Sequence, residues 1–424
     1  MPHLRSLPLI LIAAVLSHAV WGQVAPVAES RPAPVPNPAD LRAAMELNYP
    51  DIRPETRQRP DTPWQVRVAF GSPSTTSLMV TWQVQREVAG SLVEYGPSPT
   101  LGLKAPAKRV VYKSQTGVTY EAALDQLLPA TAIFYRVGTP GAWSETFTAT
   151  TAPKSNEPFV FTAFGDHGVL DPAPQNLAAI TRDNPAFHVL LGDVSYANGF
   201  QPFWDKWFDM MEPFASRIPV MAAIGNHEYE KDIGPMTYVG RFSFPEDELQ
   251  YTFDYGNVRF VVVNTVLGLP APQLAWLEAA LAKARADQVG WLIVCQHFPL
   301  FGTTAGRGFN RPLIVREAAV LEKYRVDLVL AGHDHVYERS FPILGGKPVS
   351  QERERYRKGV APIHVIAGGG GAGLYKFAPR PSSLNAIREL THARLRVTVR
   401  AEGPLEVEAI RLDGSTLDHF EIAP

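Results

Sequence analysis

The chain has 424 residues, of which 46% are hydrophobic and 19% charged. That is enough apolar side chain for folded cores, so wholesale disorder is excluded, and the length sets an expectation of about two to three domains. The balance of 40 Lys and Arg against 42 Asp and Glu gives a net charge of −2, without the basic excess that a nucleic-acid binder needs. A single cysteine, Cys295, excludes an intrachain disulfide and a cysteine zinc cluster.

Residues 1–22 read as a signal peptide. Arg5 supplies the positive start, residues 7–16 a short apolar run, and Val20-Trp21-Gly22 a cleavage site before Gln23. The protein is therefore expected to be secreted or periplasmic. No later segment has 18 uncharged apolar residues, so no membrane span is expected. Residues 23–63 carry nine prolines and few large apolar residues and read as a linker or arm.

Residues 64–152 alternate with period 2. Val66, Val68 and Phe70 share one strand face, as do Leu78, Val80, Trp82 and Val84. Further short strands fit 92–95, 118–124, 134–137 and 145–150, separated by turns such as Gly71-Ser72-Pro73. The spacing predicts a small antiparallel β-sandwich with no chemistry of its own. From about residue 157 the pattern changes. Apolar runs at Phe159–Phe164, Phe187–Leu191, 218–224, 259–263, 291–295, 326–330 and Ile363–Ala367 alternate with helical stretches at 202–212, 272–286 and 311–324. This is an α/β layered pattern, with 157–345 as the catalytic domain and 346–424 as its C-terminal part. Alternation returns from Leu390, and Asp413-Gly414 marks a closing hairpin.

Five motifs follow the apolar runs: Gly165-Asp166-His167-Gly168, Gly192-Asp193-Val194-Ser195-Tyr196, Gly225-Asn226-His227-Glu228, Val294-Cys295-Gln296-His297 and Gly332-His333-Asp334-His335. Each places a metal-ligand type where a strand ends, the edge at which α/β sheets bind ligands. Asp166, Asp193, Tyr196, Asn226, His297, His333 and His335 make seven donors. Two acids, a phenol, an amide oxygen and three imidazoles suit two first-row metals rather than one closed tetrahedral zinc. Singly, each has a plainer reading as a cap, a turn or a core residue; together and in this order they define a dinuclear site. His188, His364, His392 and His419 read as structural. Gly368-Gly369-Gly370-Gly371 lacks the Lys-Ser/Thr of a phosphate loop and reads as a flexible connection beside the site.

On these motifs, together with Met211-Glu212-Pro213-Phe214-Ala215-Ser216-Arg217 and Val336-Tyr337-Glu338-Arg339, the chain resembles the purple acid phosphatases of the calcineurin-like metallophosphoesterase superfamily. The resemblance covers roughly 64–424 and implies a fibronectin type III-like domain before a layered α/β metallophosphoesterase sandwich. It implies Fe(III) on Asp166, Tyr196 and His335, a divalent ion (iron, zinc or manganese) on Asn226, His297 and His333, and Asp193 bridging. Gly168 stands where the wider superfamily carries a further His ligand, and Tyr196 is the purple subfamily's addition. The implied reaction is release of phosphate from small monoesters by attack of a metal-bound hydroxide, with His227, or else His167, contacting the phosphate or the leaving oxygen. Plant enzymes carry histidines downstream of the His297 motif; here that stretch is 301–308, without His, and its Arg307 is either a phosphate clamp or a solvated loop charge. A phosphodiesterase or nucleotidase on the same fold is the alternative. A non-catalytic exported binding protein is disfavoured by the complete donor set.

Overall fold

The structure, a computed structural model, describes residues 59–424 except Ser114, Lys231 and Asp232. The expected signal peptide and most of the expected linker lie outside the described residues. Among the described residues, no helix is long and apolar enough to cross a membrane.

The N-terminal part is the expected β-sandwich. One sheet orders the strands Trp64–Phe70, Leu78–Val84, Val118–Leu124 and Lys108–Val110; the other orders Leu103–Pro106, Leu92–Gly96, Ala132–Thr139 and Ala142–Trp143, with Phe147–Thr150 also on Ala132–Thr139. Alternation in Trp64–Phe70 predicts one buried face, yet all seven residues are buried. The second face lies on the helix Gln201–Ala215: Gln65 Nε2 donates to Asp209 Oδ1 at 2.9 Å, and the Val66 N–H to Glu212 Oε1 at 3.0 Å. A bulge between Trp64 and Arg67 breaks the ladder here, and Gln65 takes a left-handed φ of 54°.

The second part packs two seven-stranded sheets face to face. One runs Val220–Ala223, Phe187–Leu191, Phe159–Phe164, Ala393–Val399, Leu405–Arg411, Thr416–Ala423, Arg355–Arg357; the other runs Tyr251–Tyr255, Val258–Val262, Trp291–Gln296, Leu328–Ala331, Ile363–Ala367, Tyr337–Ser340, Asn385–Glu389. In each sheet the consecutive apolar runs pair in parallel, Phe159–Phe164 with Phe187–Leu191 with Val220–Ala223, and Val258–Val262 through Trp291–Gln296 and Leu328–Ala331 to Ile363–Ala367. Strands covered on both faces need near-continuous apolar sequence, and these have it, interrupted only by single residues such as Thr162, His188, Arg259 and His364. Aromatic rings fill the gap between the sheets. Phe161 and Phe187 stack at 5.3 Å and both meet the edge of Phe260, at 5.1 and 5.2 Å. Leu277, Leu281, Leu313 and Leu321 join a second core on the outer side of the second sheet with Leu292, Val294 and Val329.

Two expected helices differ in detail. The stretch 202–212 extends to Gln201–Ala215, with Pro213 inside its last turn. The stretch 311–324 is not one regular helix: Arg311–Leu313 and Ala319–Lys323 flank a π-helical turn, Ile314–Ala318, which buries Glu317 completely.

Candidate metal centre

In both mixed sheets the parallel strands present their C-terminal ends at one edge, and the five motifs meet there. Asp166 and Asp193 follow Phe159–Phe164 and Phe187–Leu191, Asn226 follows Val220–Ala223, His297 follows Trp291–Gln296, and His333 and His335 follow Leu328–Ala331. The turns are tight. Asp166, Asp193, Tyr196 and His333 all adopt left-handed backbone, with φ of 60°, 49°, 58° and 68°. Four of seven candidate ligands thus sit in conformations that side chains other than Gly seldom adopt, held by the surrounding structure. The motif glycines are required for a different reason: a Cβ on Gly192 would lie 2.5 Å from His297 Nδ1, and one on Gly225 2.2 Å from Asp193 Oδ1.

The seven donors form two clusters. In the first, the Tyr196 hydroxyl lies 3.0 Å from Asp166 Oδ1 and 2.7 Å from His335 Nε2, and His335 Nε2 is 3.2 Å from Asp166 Oδ1. In the second, Asp193, His297 and His333 each offer an atom within 4.8 Å of the others. His297 Nε2 lies 3.1 Å from Asp193 Oδ2, 3.1 Å from Asn226 Oδ1 and 3.2 Å from His333 Nδ1. The clusters are joined by the His333 N–H, which donates to Asp166 Oδ2 at 2.7 Å.

The donor set fits a pair of cations. His297 Nδ1 is spent on the Leu191 carbonyl at 2.8 Å and His335 Nδ1 on the Gly373 carbonyl at 2.7 Å. Each contact fixes the ring and turns a bare Nε2 into the cluster, the usual support of a ligating histidine. What then faces inward is mostly acceptors facing acceptors, which only a cation or a shared proton relieves. Burial opposes a charge on His297, but the Asp193 carboxylate overrides it and lifts the ring to about 9. Burial, together with the charges of Asp166 and Asp193, holds the Tyr196 phenol well above its ordinary value, so a cation there must displace a firmly held proton.

Glu228, unassigned by the sequence reading, supports both clusters from behind. It is fully buried, and its two oxygens accept the N–H groups of Asp193 at 2.9 Å, Val194 at 2.9 Å and Gly225 at 2.8 Å. His227 lies at the rim: Nε2 is 3.8 Å from Asp193 Oδ2, Nδ1 is 2.5 Å from Asn198 Oδ1, and the ring packs on Tyr196.

Two expectations need correction. His167 does not reach a substrate position. It is completely buried, its Nε2 pairs with the Ala173 carbonyl at 3.1 Å, and its Nδ1 accepts from Trp207 Nε1 at 3.1 Å. Both nitrogens are used, and burial lowers its pKa to about 4, so it is a neutral core histidine. The glycine run 368–371 is not a flexible connection. All four residues are buried, and a Cβ would fall 2.2 Å from the Asp334 carbonyl at Gly368 and 2.1 Å from that of His167 at Gly371. The glycines let four backbone segments cross closely beneath the metal loops.

Two sheets converging on a dinuclear donor set define a metallophosphoesterase-type centre, and comparison with known proteins agrees. Residues 63–151 match the purple acid phosphatase N-terminal domain, and residues 159–337 the calcineurin-like phosphoesterase family. The chain is 31% identical over 360 residues to purple acid phosphatase 22 of Arabidopsis thaliana, covering 79% of each protein. A further Arabidopsis relative, 28% identical over 432 residues, covering 86% of this chain and 70% of that one, is named a probable inactive purple acid phosphatase. The structure of purple acid phosphatase PPD1 from yellow lupin (Lupinus luteus) seeds superposes with a TM-score of 0.81 at 25% identity, over 86% of this chain and 75% of that one. The chain belongs to the purple acid phosphatases, a family built around a dinuclear metal centre.

Proposed function

We propose that this protein is an exported phosphatase that releases phosphate from small monoesters at a centre of Fe(III) and a divalent iron, zinc or manganese ion. The observation that carries the reading is the convergence of all seven donors into two adjoining clusters, with none lost. Asp166, Tyr196 and His335 would hold the trivalent ion, Asn226, His297 and His333 the divalent one, with Asp193 between them. Bound there, the ions supply neutralisation of the phosphate charge and a source of nucleophilic water. The chain's own residues do the rest. Glu228 and the left-handed turns fix the ligand loops. His227, steadied by Asn198, places Nε2 at the rim, where its protonated form gives a proton to the leaving oxygen. Export is supported by Arg5, the apolar run that follows it and the small residues before Gln23.

The test is metal analysis and a visible spectrum of the aerobically purified protein, with turnover of an aryl phosphate monoester and its methyl diester. About two metals per chain including iron, a charge-transfer band and phosphate release are expected. Two colourless ions would remove Tyr196 from iron. Preferred turnover of the diester would replace the monoesterase with a phosphodiesterase. Bound metals with no hydrolysis would place the protein with the inactive relatives.

A further inference from the structure

Two loops are zipped together beside the centre. The Ala305 N–H donates to the Lys376 carbonyl at 2.7 Å, the Ala378 N–H to the Thr303 carbonyl at 2.9 Å, and Thr304 bridges to Phe377. One loop carries Arg307, the other Tyr375. Gly306 and Gly308 have φ of +82° and +68° with open space where a side chain would be, so they serve the turn that presents Arg307 rather than any packing need. The Tyr375 ring stacks on the ligand His335, with centroids 4.0 Å apart and planes 12° apart. The Arg307 guanidinium lies 4.6 Å over the same ring, donates to the Tyr375 hydroxyl at 2.9 Å and touches His333 Nε2.

Among the described residues these contacts occupy two of its five N–H groups. Among the described residues, the one carboxylate in ion-pair reach, Asp334 Oδ1, is 3.9 Å away, and its other oxygen already accepts the Thr304 hydroxyl at 2.6 Å. A guanidinium thus touches His333 of the second cluster and lies across the Tyr375 ring from His335 of the first, with unspent donors and 36% of its side chain open to solvent. Arg in a fork geometry suits the terminal oxygens of phosphate.

We propose that Arg307, braced by Tyr375, clamps the terminal oxygens of a phosphate dianion and makes this centre select monoesters over diesters. The proposal rests on the phosphoesterase reading above. A monoester dianion offers three terminal oxygens and two charges; a diester offers two oxygens and one charge. A cation beyond the metals therefore favours the monoester more. Tyr375 acts as a positioning residue, fixing the guanidinium plane against His335.

The experiment measures kcat/KM for p-nitrophenyl phosphate and its methyl diester in the full, metal-loaded protein and in Arg307→Ala, Arg307→Lys, Tyr375→Ala and Tyr375→Phe. Metal content and visible spectrum are recorded for each. Arg307→Ala should lower the monoester value about 10- to 100-fold, the range for one charge-assisted contact, and the diester value several-fold less, with metals and spectrum retained. Arg307→Lys should recover part of the loss. Tyr375→Ala should shift the monoester-to-diester ratio in the same direction with Arg307 intact, and Tyr375→Phe by less. Equal losses on both esters, or loss of metal in Arg307→Ala, would overturn the clamp. Inorganic phosphate binding, measured by calorimetry, separates this from failure of the phosphatase reading. If wild type hydrolyses neither ester, about tenfold weaker phosphate binding by metal-replete Arg307→Ala still supports the clamp, and unchanged binding refutes it.

Discussion

Replacing Glu228 with Ala should loosen the centre without touching a candidate ligand. The carboxylate takes three backbone N–H groups, two on one oxygen and one on the other, at 2.8–2.9 Å, inside fully buried surroundings. Its removal leaves three buried donors unpaired, at about 1–3 kcal/mol each. Relief of a buried carboxylate returns part of this, so a net loss of about 3–5 kcal/mol is expected. Glu228→Gln keeps the shape but sets an amide N–H against a backbone N–H, for about 2 kcal/mol. Urea unfolding of the metal-free protein, followed by tryptophan fluorescence, measures both. The loops that lose their anchor carry Asp193 and Asn226, so metal retention on dialysis should fall in the same order. An Ala variant within about 1 kcal/mol of wild type, with metal retention unchanged, would refute the clasp.

Three further outcomes follow from the site and its surroundings. Glu317 sits wholly buried in the π-helical turn with one oxygen unpartnered, and burial lifts its carboxyl from 4.5 to about 8. Its folded pKa is raised, so the stability it contributes is full below about 4.5 and is lost as pH rises towards about 8; Glu317→Gln should flatten that fall in a stability-versus-pH series, and parallel curves would contradict it. Asp193→Ala should abolish more activity than Asn226→Ala because Asp193 serves both ions in the proposed assignment; equal residual turnover in two folded, purified variants would count against bridging. Cys295 lies fully buried in its strand, and burial pushes its thiol up, so a maleimide should label it only after denaturation; rapid labelling of the native protein would show that the strand opens.

The sequence carried the donors and the layered fold because both leave local marks. Ligand types after apolar runs are readable as motifs, and doubly covered strands are readable as mostly apolar runs, broken only by single residues such as Thr162, His188, Arg259 and His364. Elements without such marks escaped. Leu103–Pro106 and Lys108–Val110 are largely exposed edge strands with no alternation to find. The helix Met236–Arg241 is too short for a period. His167 was open to reading as a substrate contact because the groups that enclose it, Trp207 and the Ala173 carbonyl, come from two helices that local reading cannot bring together. Tyr375 stands in no motif and meets His335 only through the fold. Glu228 was in plain view, four letters into a motif, but two of the three N–H groups it holds lie 34 and 35 residues away, and backbone donors have no sequence signal.

The seam between the β-sandwich and the part that carries the candidate metal centre is itself core. Phe70 of the first strand packs at 5.7–5.9 Å on Phe187, Phe253 and Tyr255, the Tyr135 hydroxyl donates to the Ser216 carbonyl at 2.6 Å, and one continuous apolar cluster runs from Val66 to Val407. Two sequence domains joined this way have no independent melting points. Heating should give one cooperative transition, and a truncated chain starting near residue 157 would bare an aromatic surface and the helix Gln201–Ala215 to water. The β-sandwich, which brings no candidate ligand to the centre, is in this sense the far wall of the room in which the seven donors sit.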